Sequence, residues 1–329
     1  MPFDPDTSPT LVADNPSLRP PKPMLAGKGP DLRTLENWPY TIQTKIDGIR
    51  CLISNRKAYG RSGKLLPNEC LQELVREEGW YHGLDGELCY KEDYSSTMTA
   101  VMSHHYPLDK EMVYYVFDWW NRGYEDYNLH GKRMFDIMEL HERSKISIGI
   151  IAERTARSPE EVVELSTTQI FRDASPEGFI LRNRKGRYKH GRSTRKEEFL
   201  LKYKNFQDAE AIILDFIPLY TNENAPEKDE FGHQVRSSHK ANKVQQELLG
   251  AFVVELLDGS GAETRFKVGT GFDAEQREEY WKHRHNLIGK VITFTHLPAG
   301  AQALPRFPVF KGFRDPIDLD WNDETPTVE

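Results

Sequence analysis

One lysine near the start of the chain has neighbours that suggest covalent chemistry, in the run Lys45-Ile46-Asp47-Gly48-Ile49-Arg50. A lysine amine is a nucleophile only when neutral, and with an ordinary pKa near 10.4 roughly one molecule in a thousand or fewer is neutral at pH 7. A catalytic role therefore requires burial near other cations, which lowers the pKa of a lysine. The pattern is short, and a hairpin turn built on Asp-Gly explains its middle without chemistry.

Further motifs follow this lysine in a fixed order along the chain. They are Gly60-Arg61-Ser62-Gly63, Asp85-Gly86-Glu87, Val116-Phe117-Asp118, Glu177-Gly178-Phe179-Ile180 and Lys202-Tyr203-Lys204. Because alternate side chains of a strand share one face, Lys202 and Lys204 would present both ammonium groups on the same side. Two converging cations suit a phosphate whose negative charge grows during attack by a nucleophile.

This ordered set resembles the covalent nucleotidyltransferases, the superfamily of DNA ligases, RNA ligases and mRNA capping enzymes. The resemblance runs from KPMLAGK near residue 22 to RFPVFKGFRDP near residue 306, and so covers nearly the whole chain. It implies that Lys45 attacks the α-phosphorus of ATP and becomes covalently attached to AMP. The AMP would then move to the 5′-phosphate of a nick, and the neighbouring 3′-hydroxyl would displace it.

The resemblance also implies roles for the side chains around the nucleotide. Gln43 would read the adenine edge, and Phe117 would stack on adenine, although a Phe within an apolar run is by default a core residue. Glu177 would hold Mg²⁺, with Mn²⁺ as a substitute, and Glu87 would contact the ribose or the metal. Contacts to the sugar, the phosphates or the leaving pyrophosphate would come from Arg50, Arg61, Lys202, Lys204, Lys311 and Arg314.

The charge distribution bears on a nucleic-acid partner. The formal net charge of -7 argues against such a partner, because phosphate contacts need Lys and Arg. The segment 181–204 nevertheless holds ten Lys or Arg against two Glu, a local balance of +8, which is an electrostatic footprint for DNA. The residues expected to contact nicked double-stranded DNA are Arg50, Arg61, Arg192, Arg195, Lys196, Arg236, Lys240 and Lys243. A solvated surface loop without a partner explains the last three equally well.

The elements that must position these residues form two predicted domains after an irregular N-terminal arm, residues 1–35, that is rich in Pro, Asp and Ser. Short strand-like runs with a few helices over 36–206 predict a mixed α+β domain. By resemblance it is a nucleotidyltransferase (ATP-grasp-like) adenylation domain with antiparallel sheets. Four or five strands with one helix over 207–329 predict a small OB-fold β-barrel. That domain carries a polar insertion near 221–247, expected to be mobile, and an acidic tail.

Relatives with other substrates are distinguished by motifs in the second domain. The runs VVELLDG, VGTGFDAEQRE, IGKVITF and RFPVFKGFRD look like the DNA-ligase version of the barrel. RNA ligases and capping-type enzymes remain alternatives within the superfamily, and a non-catalytic DNA-binding protein is the alternative from another class. NAD-dependent ligases carry a four-cysteine zinc module, which Cys51, Cys70 and Cys89 do not fit, so ATP is the expected donor.

Membrane and export signals are absent from the sequence pattern. No window approaches the roughly 20 consecutive apolar residues of a membrane helix, and the start lacks a basic region followed by an apolar one. We therefore expect a protein without a membrane partner, in the cytoplasm of a bacterial cell or of a virus-infected host cell. We also expect it to be a monomer. Its size is similar to that of the short ligases of viruses and some bacteria.

Overall fold

The computed structural model describes two compact units. The described residues are 20, 22–77, 83–120, 130, 134, 147–149, 151, 153–169, 171, 177–259, 262–297 and 304–314. Unit 1 comprises Met1–Lys204 with Lys228–His233, and unit 2 comprises Asn205–Glu227 with Gln234–Glu329. Among the described residues, no helix combines the length and the apolar character that crossing a membrane requires.

Unit 1 contains twelve strands and three α-helices among its described residues. The helices are α1 (Glu69–Glu77), α2 (Tyr94–Met102) and α3 (Pro159–Ser166). The strands are β1 (Met24–Leu25), β2 (Gly27–Lys28), β3 (Tyr40–Thr44), β4 (Ile49–Ser54), β5 (Lys57–Tyr59), β6 (Leu84–Tyr90), β7 (Met112–Trp119), β8 (Ser147–Gly149), β9 (Glu153–Ala156), β10 (Gly178–Asn183), β11 (Gly191–Arg192) and β12 (Leu200–Lys204).

The first large sheet of unit 1 has the order β2-β12-β10-β3-β9. Alternation along β3 sends Tyr40 and Ile42 into a core with Leu181 and Leu201, and all four side chains are fully buried. Because side chains alternate, the opposite face of this sheet carries Gln43 on β3 together with Lys202 on β12. Ile180 pairs with both residues, which places them in one row across the sheet.

The second large sheet has the order β5-β4-β6-β7-β8 and is packed on one face by α1 and α2. Its buried face includes Cys51, Leu88 and Tyr114, whereas β6 alternates so that Asp85 and Glu87 lie on the other face. A β-bulge interrupts the pairing of β6 with β7, because Asp85 pairs with Asp118 and Gly86 pairs with Val116. Phe117 is the extra residue of this bulge, and a bulge changes the direction of its side chain.

Unit 2 is built around one five-stranded sheet and one α-helix. Its elements are β13 (Gln207–Asn222), β14 (Pro226–Lys228, whose last residue belongs to unit 1), β15 (Gln234–Arg236), β16 (Lys243–Leu256), β17 (Arg265–Val268), α4 (Ala274–Lys282), β18 (Val291–Leu297) and β19 (Arg306–Phe313). The sheet order is β17-β16-β13-β18-β19, and a parallel bridge between Thr270 and Val309 joins the two edges. This connectivity, with a helix between the third and fourth strands, is that of an OB-fold.

The core of unit 2 is rich in aromatic side chains. Phe252 on β16 is fully buried and contacts Phe272 and Phe310 edge to face, with ring centroids 5.0 and 5.7 Å apart. Tyr280 of α4 lies within 6.0 Å of Phe252, so the helix closes one end of the barrel. The helix begins with a capping box in which the side chains of Asp273 and Gln276 bond each other's backbone N–H groups.

The predicted α+β class with a second OB-fold domain is confirmed, and two local predictions need correction. Residues 24–28, predicted as part of an irregular arm, form β1 and β2, because their backbone groups pair with β11 and β12. The insertion near 221–247, expected to be mobile, forms the ends of β13 and β16 and the small β14–β15 sheet. The sequence pattern did not predict β14 and β15, because these strands are solvent-exposed and their residues are mostly polar. The acidic tail, 315–329, lies outside the described residues. The run GKRMFDIMELHERSK at 131–145, whose sequence favours a helix, also lies outside them apart from Met134.

Candidate nucleotide-binding site

Lys45 is the first residue after β3, and its position is fixed by neighbouring backbone. Its N–H donates to the carbonyl of Gly178 at 3.2 Å, which extends the β3–β10 pairing by one step. Gly48 then passes so close to Leu88 and Cys89 of β6 that a Cβ atom there would clash with the Leu88 carbonyl. The glycine of the Lys-Ile-Asp-Gly run is therefore required for the chain to turn between the two large sheets.

Glu177 links two lysines of the site. Its Oε2 atom is 2.5 Å from Lys45 Nζ, and its Oε1 atom is 2.9 Å from Lys204 Nζ. Gly178 and Lys204 are cross-strand partners, which explains why Glu177 and Lys204 meet. Burial alone would raise the pKa of Glu177, but the charges and hydrogen bonds of Lys45 and Lys204 outweigh it and lower the pKa. The carboxylate thus holds both ammonium groups in place.

Lys202 lies among cations. Burial lowers the pKa of its ammonium group, and the positive charges of Arg192, Lys204, Arg61 and Lys45 lower it further. Among the described residues, no ion pair joins Lys202 to an acid. A partly buried ammonium group surrounded by cations is stabilised by a bound anion, so this cluster of Lys45, Arg61, Arg192, Lys202 and Lys204, here named the cation cluster, suits phosphate groups.

Arg50 forms a bidentate ion pair with Asp85. Arg50 Nε donates to Oδ1 at 2.5 Å, and Nη2 donates to Oδ2 at 2.6 Å and to the Met24 carbonyl at 3.0 Å. The Tyr188 hydroxyl also donates to Asp85 Oδ2, at 2.6 Å. Asp85 is fully buried, so this network fixes the guanidinium. Arg50 is predicted from the sequence to contact the nucleotide or DNA, whereas its pairing with Asp85 becomes visible only in the structure.

Phe117 has two guanidinium groups close to its ring. The Cζ atom of Arg50 lies 4.5 Å from the ring centroid, and that of Arg182 lies 6.0 Å from it. These are cation–π distances, and both arginines are themselves paired with buried acids. Phe117 is half-buried on its bulge rather than enclosed in the core. The ring is therefore a positioned platform, which is the property that stacking on a base requires.

Gln43 is nearly fully buried, and both ends of its amide have partners. Nε2 donates to Glu153 Oε2 at 3.0 Å, and Oε1 accepts from Arg182 Nε at 3.3 Å. Arg182 Nη1 also donates to Asp118 Oδ2 at 2.5 Å. A chain of polar contacts thus runs from the first large sheet to the strand that carries Phe117.

Glu87 has an unusual carboxyl group. Burial raises its pKa to about 7, although Arg50 and Lys45 act in the opposite direction. Its charge is therefore incompletely neutralised by the protein, which suits a carboxylate that meets a cation on binding its ligand. Among the described residues, no cluster of three or more His, Cys, Asp or Glu residues is arranged to hold a metal.

Lys311 and Arg314 form ion pairs within unit 2. Lys311 Nζ is 2.9 Å from Asp208 Oδ2, and Arg314 Nε is 3.0 Å from Glu210 Oε1. Both acids lie on β13, in the part of this strand that pairs with β18. All four side chains are at least partly exposed to solvent, so these pairs are weak.

The remaining expected DNA contacts are mostly solvent-exposed. Arg192 donates from Nη1 to the Ala26 carbonyl at 2.8 Å, and Arg236 donates to the Asn224 carbonyl. Arg61, Arg195, Lys196, Lys240 and Lys243 are exposed. Arg195 and Lys196 lie in the same turn before β12, and both remain candidates for the contact that the sequence left undecided between them.

Several buried or partly buried side chains of the site have no role predicted from the sequence: Asp85, Asp118, Glu153, Arg182 and Tyr188. A signal for Asp85 and Asp118 is present, because both stand inside the ordered motifs. Arg182 is also visible as a charge within the strand-like run GFILRNR. A charged residue inside a buried strand needs a partner, but the sequence does not say which one.

Comparisons with known proteins agree with this architecture. Residues 242–314 match the family model of the DNA ligase OB-like domain. A solved Lig E DNA ligase is 22% identical, with 89% of this chain and 98% of that chain covered and a TM-score of 0.61. The DNA ligase-adenylate of Chlorella virus is 28% identical, with 89% and 99% covered and a TM-score of 0.48. No curated protein sequence matches the chain significantly.

The two kinds of match are complementary. The family model identifies the second unit from its own sequence, and the Lig E structure shows the same fold over nearly nine-tenths of the chain. The order of motifs around Lys45 is that of the nucleotidyltransferase domain that precedes such a barrel. The second unit therefore matches the DNA ligase OB-like domain, and the chain shares the fold of the Lig E DNA ligase structure.

Proposed function

We propose that the chain is an ATP-dependent DNA ligase that seals nicks between a 5′-phosphate and a 3′-hydroxyl in duplex DNA. The observation that carries this proposal is the position of Lys45, whose Nζ atom lies beside Glu177 and within the cation cluster. A nucleophile next to groups that bind phosphate is the arrangement that nucleotidyl transfer to a side chain needs.

The first step forms a bond between Lys45 Nζ and the α-phosphorus of ATP, and breaks the bond from that phosphorus to the pyrophosphate oxygen. The amine loses a proton, and pyrophosphate leaves. Lys202 and Lys204 bind the α-phosphate, whose charge increases during attack. Glu177 orients Lys45 and Lys204 through its two oxygen atoms, so the nucleophile and the cation keep a fixed separation.

The second and third steps consume the lysyl-AMP. An oxygen of the 5′-phosphate of the nick attacks the AMP phosphorus, which frees Lys45 and leaves an adenylated DNA end. The 3′-hydroxyl then attacks the 5′-phosphate, and AMP leaves as the phosphodiester forms. Two easier displacements thus replace one difficult condensation. The basic segment 181–204 supplies cations for the DNA backbone.

Magnesium fits the residues present. This ion is commonly bound by one or two carboxylates together with phosphates of the substrate rather than by a complete protein cage. Glu87, with its raised pKa, and Glu177 are the carboxylates that would hold it, and Lys45 influences the pKa of both. The bound ion would neutralise charge on the leaving pyrophosphate. Mn²⁺ is the expected substitute.

Lys311 and Arg314 are proposed to orient the pyrophosphate. Lys311 lies on β19 and Arg314 directly follows this strand. The carboxylates that hold them are at least partly exposed, so a phosphate can replace those partners. We further propose that the enzyme acts as a monomer in the cytoplasm.

The proposal is tested by incubating the protein with ATP labelled at the α-phosphate, in the presence of Mg²⁺. An acid-stable labelled protein is expected, and Lys45→Ala should remove the label. Lys57→Ala serves as the matched control, because Lys57 is an exposed lysine on β5 outside the site. Absence of the adduct from the unmodified protein, or its persistence in Lys45→Ala, would contradict the proposal.

A second assay separates the ligase from its relatives. Nicked duplex DNA should be sealed with ATP, whereas a nicked RNA duplex or GTP should support little reaction. A stable adduct with GTP would indicate a capping-type enzyme instead. A protein that binds the nick but forms no adduct with either nucleotide would be a DNA-binding protein without catalysis.

A further inference from the structure

The Gln43 amide is bound at both ends by groups of opposite character. Its carbonyl oxygen accepts from a guanidinium N–H of Arg182, and its amino group donates to the carboxylate of Glu153. A flipped amide would place its amino group against the Arg182 donor and its oxygen against the Glu153 acceptor. Since both flipped contacts are repulsive, these neighbours allow one orientation of the Gln43 amide.

The orientation of the Gln43 amide determines which kind of purine it can bind through the purine N1 and position-6 groups. Adenine presents a donor at N6 and an acceptor at N1, whereas 6-oxopurines such as guanine and hypoxanthine present an acceptor at O6 and a donor at N1. An amide that meets this edge must reverse its oxygen and nitrogen to bind one kind of purine rather than the other. The described partners of Gln43 use one lone pair of Oε1 and one hydrogen of Nε2, and the amide has capacity for one more bond at each end.

Arg182 also fixes the distance between the amide and the aromatic platform. It lies on β10, in the first large sheet, and its Nη1 donates to Asp118 on β7 of the second sheet. Both partners are buried, with 3% of Arg182 and none of Asp118 exposed. Asp118 directly follows Phe117, so one guanidinium ties the Gln43 amide to the strand that presents the ring. Arg182 is therefore a positioning residue for both.

From this geometry we infer that Arg182 and Glu153 lock the Gln43 amide in the orientation that accepts adenine and rejects 6-oxopurines. The inference rests on the proposed function, because it takes the purine of ATP to stack on Phe117 with its edge towards Gln43. It assigns nucleobase selectivity to two residues that need not touch the nucleotide. The lock acts at the N6 and N1 positions, and so it excludes GTP without relying on the guanine 2-amino group.

The experiment compares ATP with ITP, which has the 6-oxo group but lacks the 2-amino group of GTP. Transfer of the labelled nucleotide to Lys45 is measured as kcat/KM for each. The unmodified protein should prefer ATP by at least about tenfold, since the wrong purine leaves a buried polar group unpaired. In the double variant Arg182→Lys/Glu153→Gln the amide is free to turn. The kcat/KM values for ATP and ITP should then differ by less than about threefold.

The chosen substitutions are conservative, to limit the disturbance of the fold. A lysine at 182 retains a charge for Asp118 but cannot bond Asp118 and Gln43 together, and Glu153→Gln changes a partly exposed residue of β9. The single Glu153→Gln variant should show an intermediate ratio, which tests the lock even if the double variant unfolds. The matched control is Arg184→Lys, because Arg184 follows the same strand but bonds Thr155 at the surface. Its ATP to ITP ratio should be unchanged.

Equilibrium binding of ATP and ITP to the Lys45→Ala variant separates this inference from the ligase proposal. Selective binding of ATP, combined with no adduct in the unmodified protein, would overturn the ligase proposal and support the lock. Adduct formation with equal efficiency from ATP and ITP would overturn the lock alone. An unchanged ratio in both the single and the double variant would also overturn it, and failure to bind either nucleotide would overturn both.

Discussion

Lys45 Nζ lies 2.5 Å from one oxygen of Glu177, and the other oxygen of this carboxylate lies 2.9 Å from Lys204 Nζ. The acid therefore separates two cations that would otherwise repel each other. It also links three strands, because Glu177 precedes β10, Lys45 follows β3 and Lys204 ends β12. Removing this one charge should disturb both the chemistry and the packing of the site.

The Glu177→Gln variant should form the lysyl-AMP at least about 100-fold more slowly, because the amide no longer fixes the nucleophile beside its cation. The free energy of unfolding should fall by about 1–3 kcal/mol, since two partly buried ammonium groups lose their charged partner. Adduct formation and urea denaturation measure the two effects. Glu164→Gln, on the exposed side of α3, is the control. An adduct rate within about threefold of the original would contradict the assigned role.

The lowered pKa of Glu177 also predicts an acid-dependent loss of stability. A group with a lowered pKa in the folded protein stabilises it above the ordinary value of 4.5, and the contribution is lost as the pH falls below that value through the folded pKa. The unmodified protein should therefore lose more stability than Glu177→Gln between about pH 4.5 and pH 3. Denaturation in urea at a series of pH values measures this, and parallel curves for the two proteins would refute it.

Glu87 should show the opposite pH dependence. Because burial raises its pKa from 4.5 to about 7, its neutral form favours folding at low pH, and this contribution is lost as the pH rises from 4.5 through 7. Relative to the unmodified protein, Glu87→Gln should gain about 1–3 kcal/mol between pH 4.5 and pH 8, measured without nucleotide or divalent metal. Glu111→Gln, an exposed residue before β7, should show no such gain. A constant difference across this range would argue against the raised pKa.

Arg50→Lys should destabilise unit 1 by about 2–4 kcal/mol, because one ammonium group cannot replace the bidentate hydrogen bonding of a guanidinium to the buried Asp85 carboxylate. The variant should also lose the planar guanidinium group that lies beside the Phe117 ring. Thermal and urea denaturation measure the change. Arg56→Lys, in the exposed turn between β4 and β5, should alter stability by less than about 0.5 kcal/mol. Equal effects of the two substitutions would show that the Asp85 contact contributes little.

The double variant Arg195→Gln/Lys196→Gln should bind nicked DNA more weakly, with a log–log salt slope reduced by about 0.9 for each phosphate that is no longer neutralised. Affinity for the nick is measured by fluorescence anisotropy from low to moderate salt. Formation of the lysyl-AMP, which needs no DNA, separates this effect from one on nucleotide binding. Lys57→Gln/Lys110→Gln removes the same charge from exposed lysines elsewhere. If both double variants reduced the slope equally, net charge and not this turn would determine it.

Sequence patterns predicted the elements that depend on residues close together in the chain. Alternation predicts that Lys202 and Lys204 share one face of β12. A serine followed by proline is typical of a helix start, and α3 begins in this way, with the Ser158 side chain accepting from the Glu161 N–H. The strand β7 was visible as an apolar run. Helix α2 was missed because its Ser and Thr residues weaken helix propensity, while its start depends on the Asp93 cap and on packing against β6.

The partners of charged residues could not be predicted, because they depend on which strands become neighbours. Arg50 meets Asp85 only because β4 and β6 pair, and Arg182 meets Asp118 only because the two large sheets face each other there. The bulge at Phe117 depends on one unmatched residue between β6 and β7. Motif order predicts which residues carry chemistry, whereas the acids that hold them become visible only in the tertiary structure.

The ion pairs of Lys311 with Asp208 and of Arg314 with Glu210 determine how easily the barrel's cations change partners. Each exposed pair contributes at most about 1 kcal/mol, so thermal motion breaks it readily. Under the proposed role, a pyrophosphate would replace carboxylates that are only weakly held, and the exchange would cost little free energy. Such an exchange would be reversible, which suits a step that the proposed reaction repeats at every turnover.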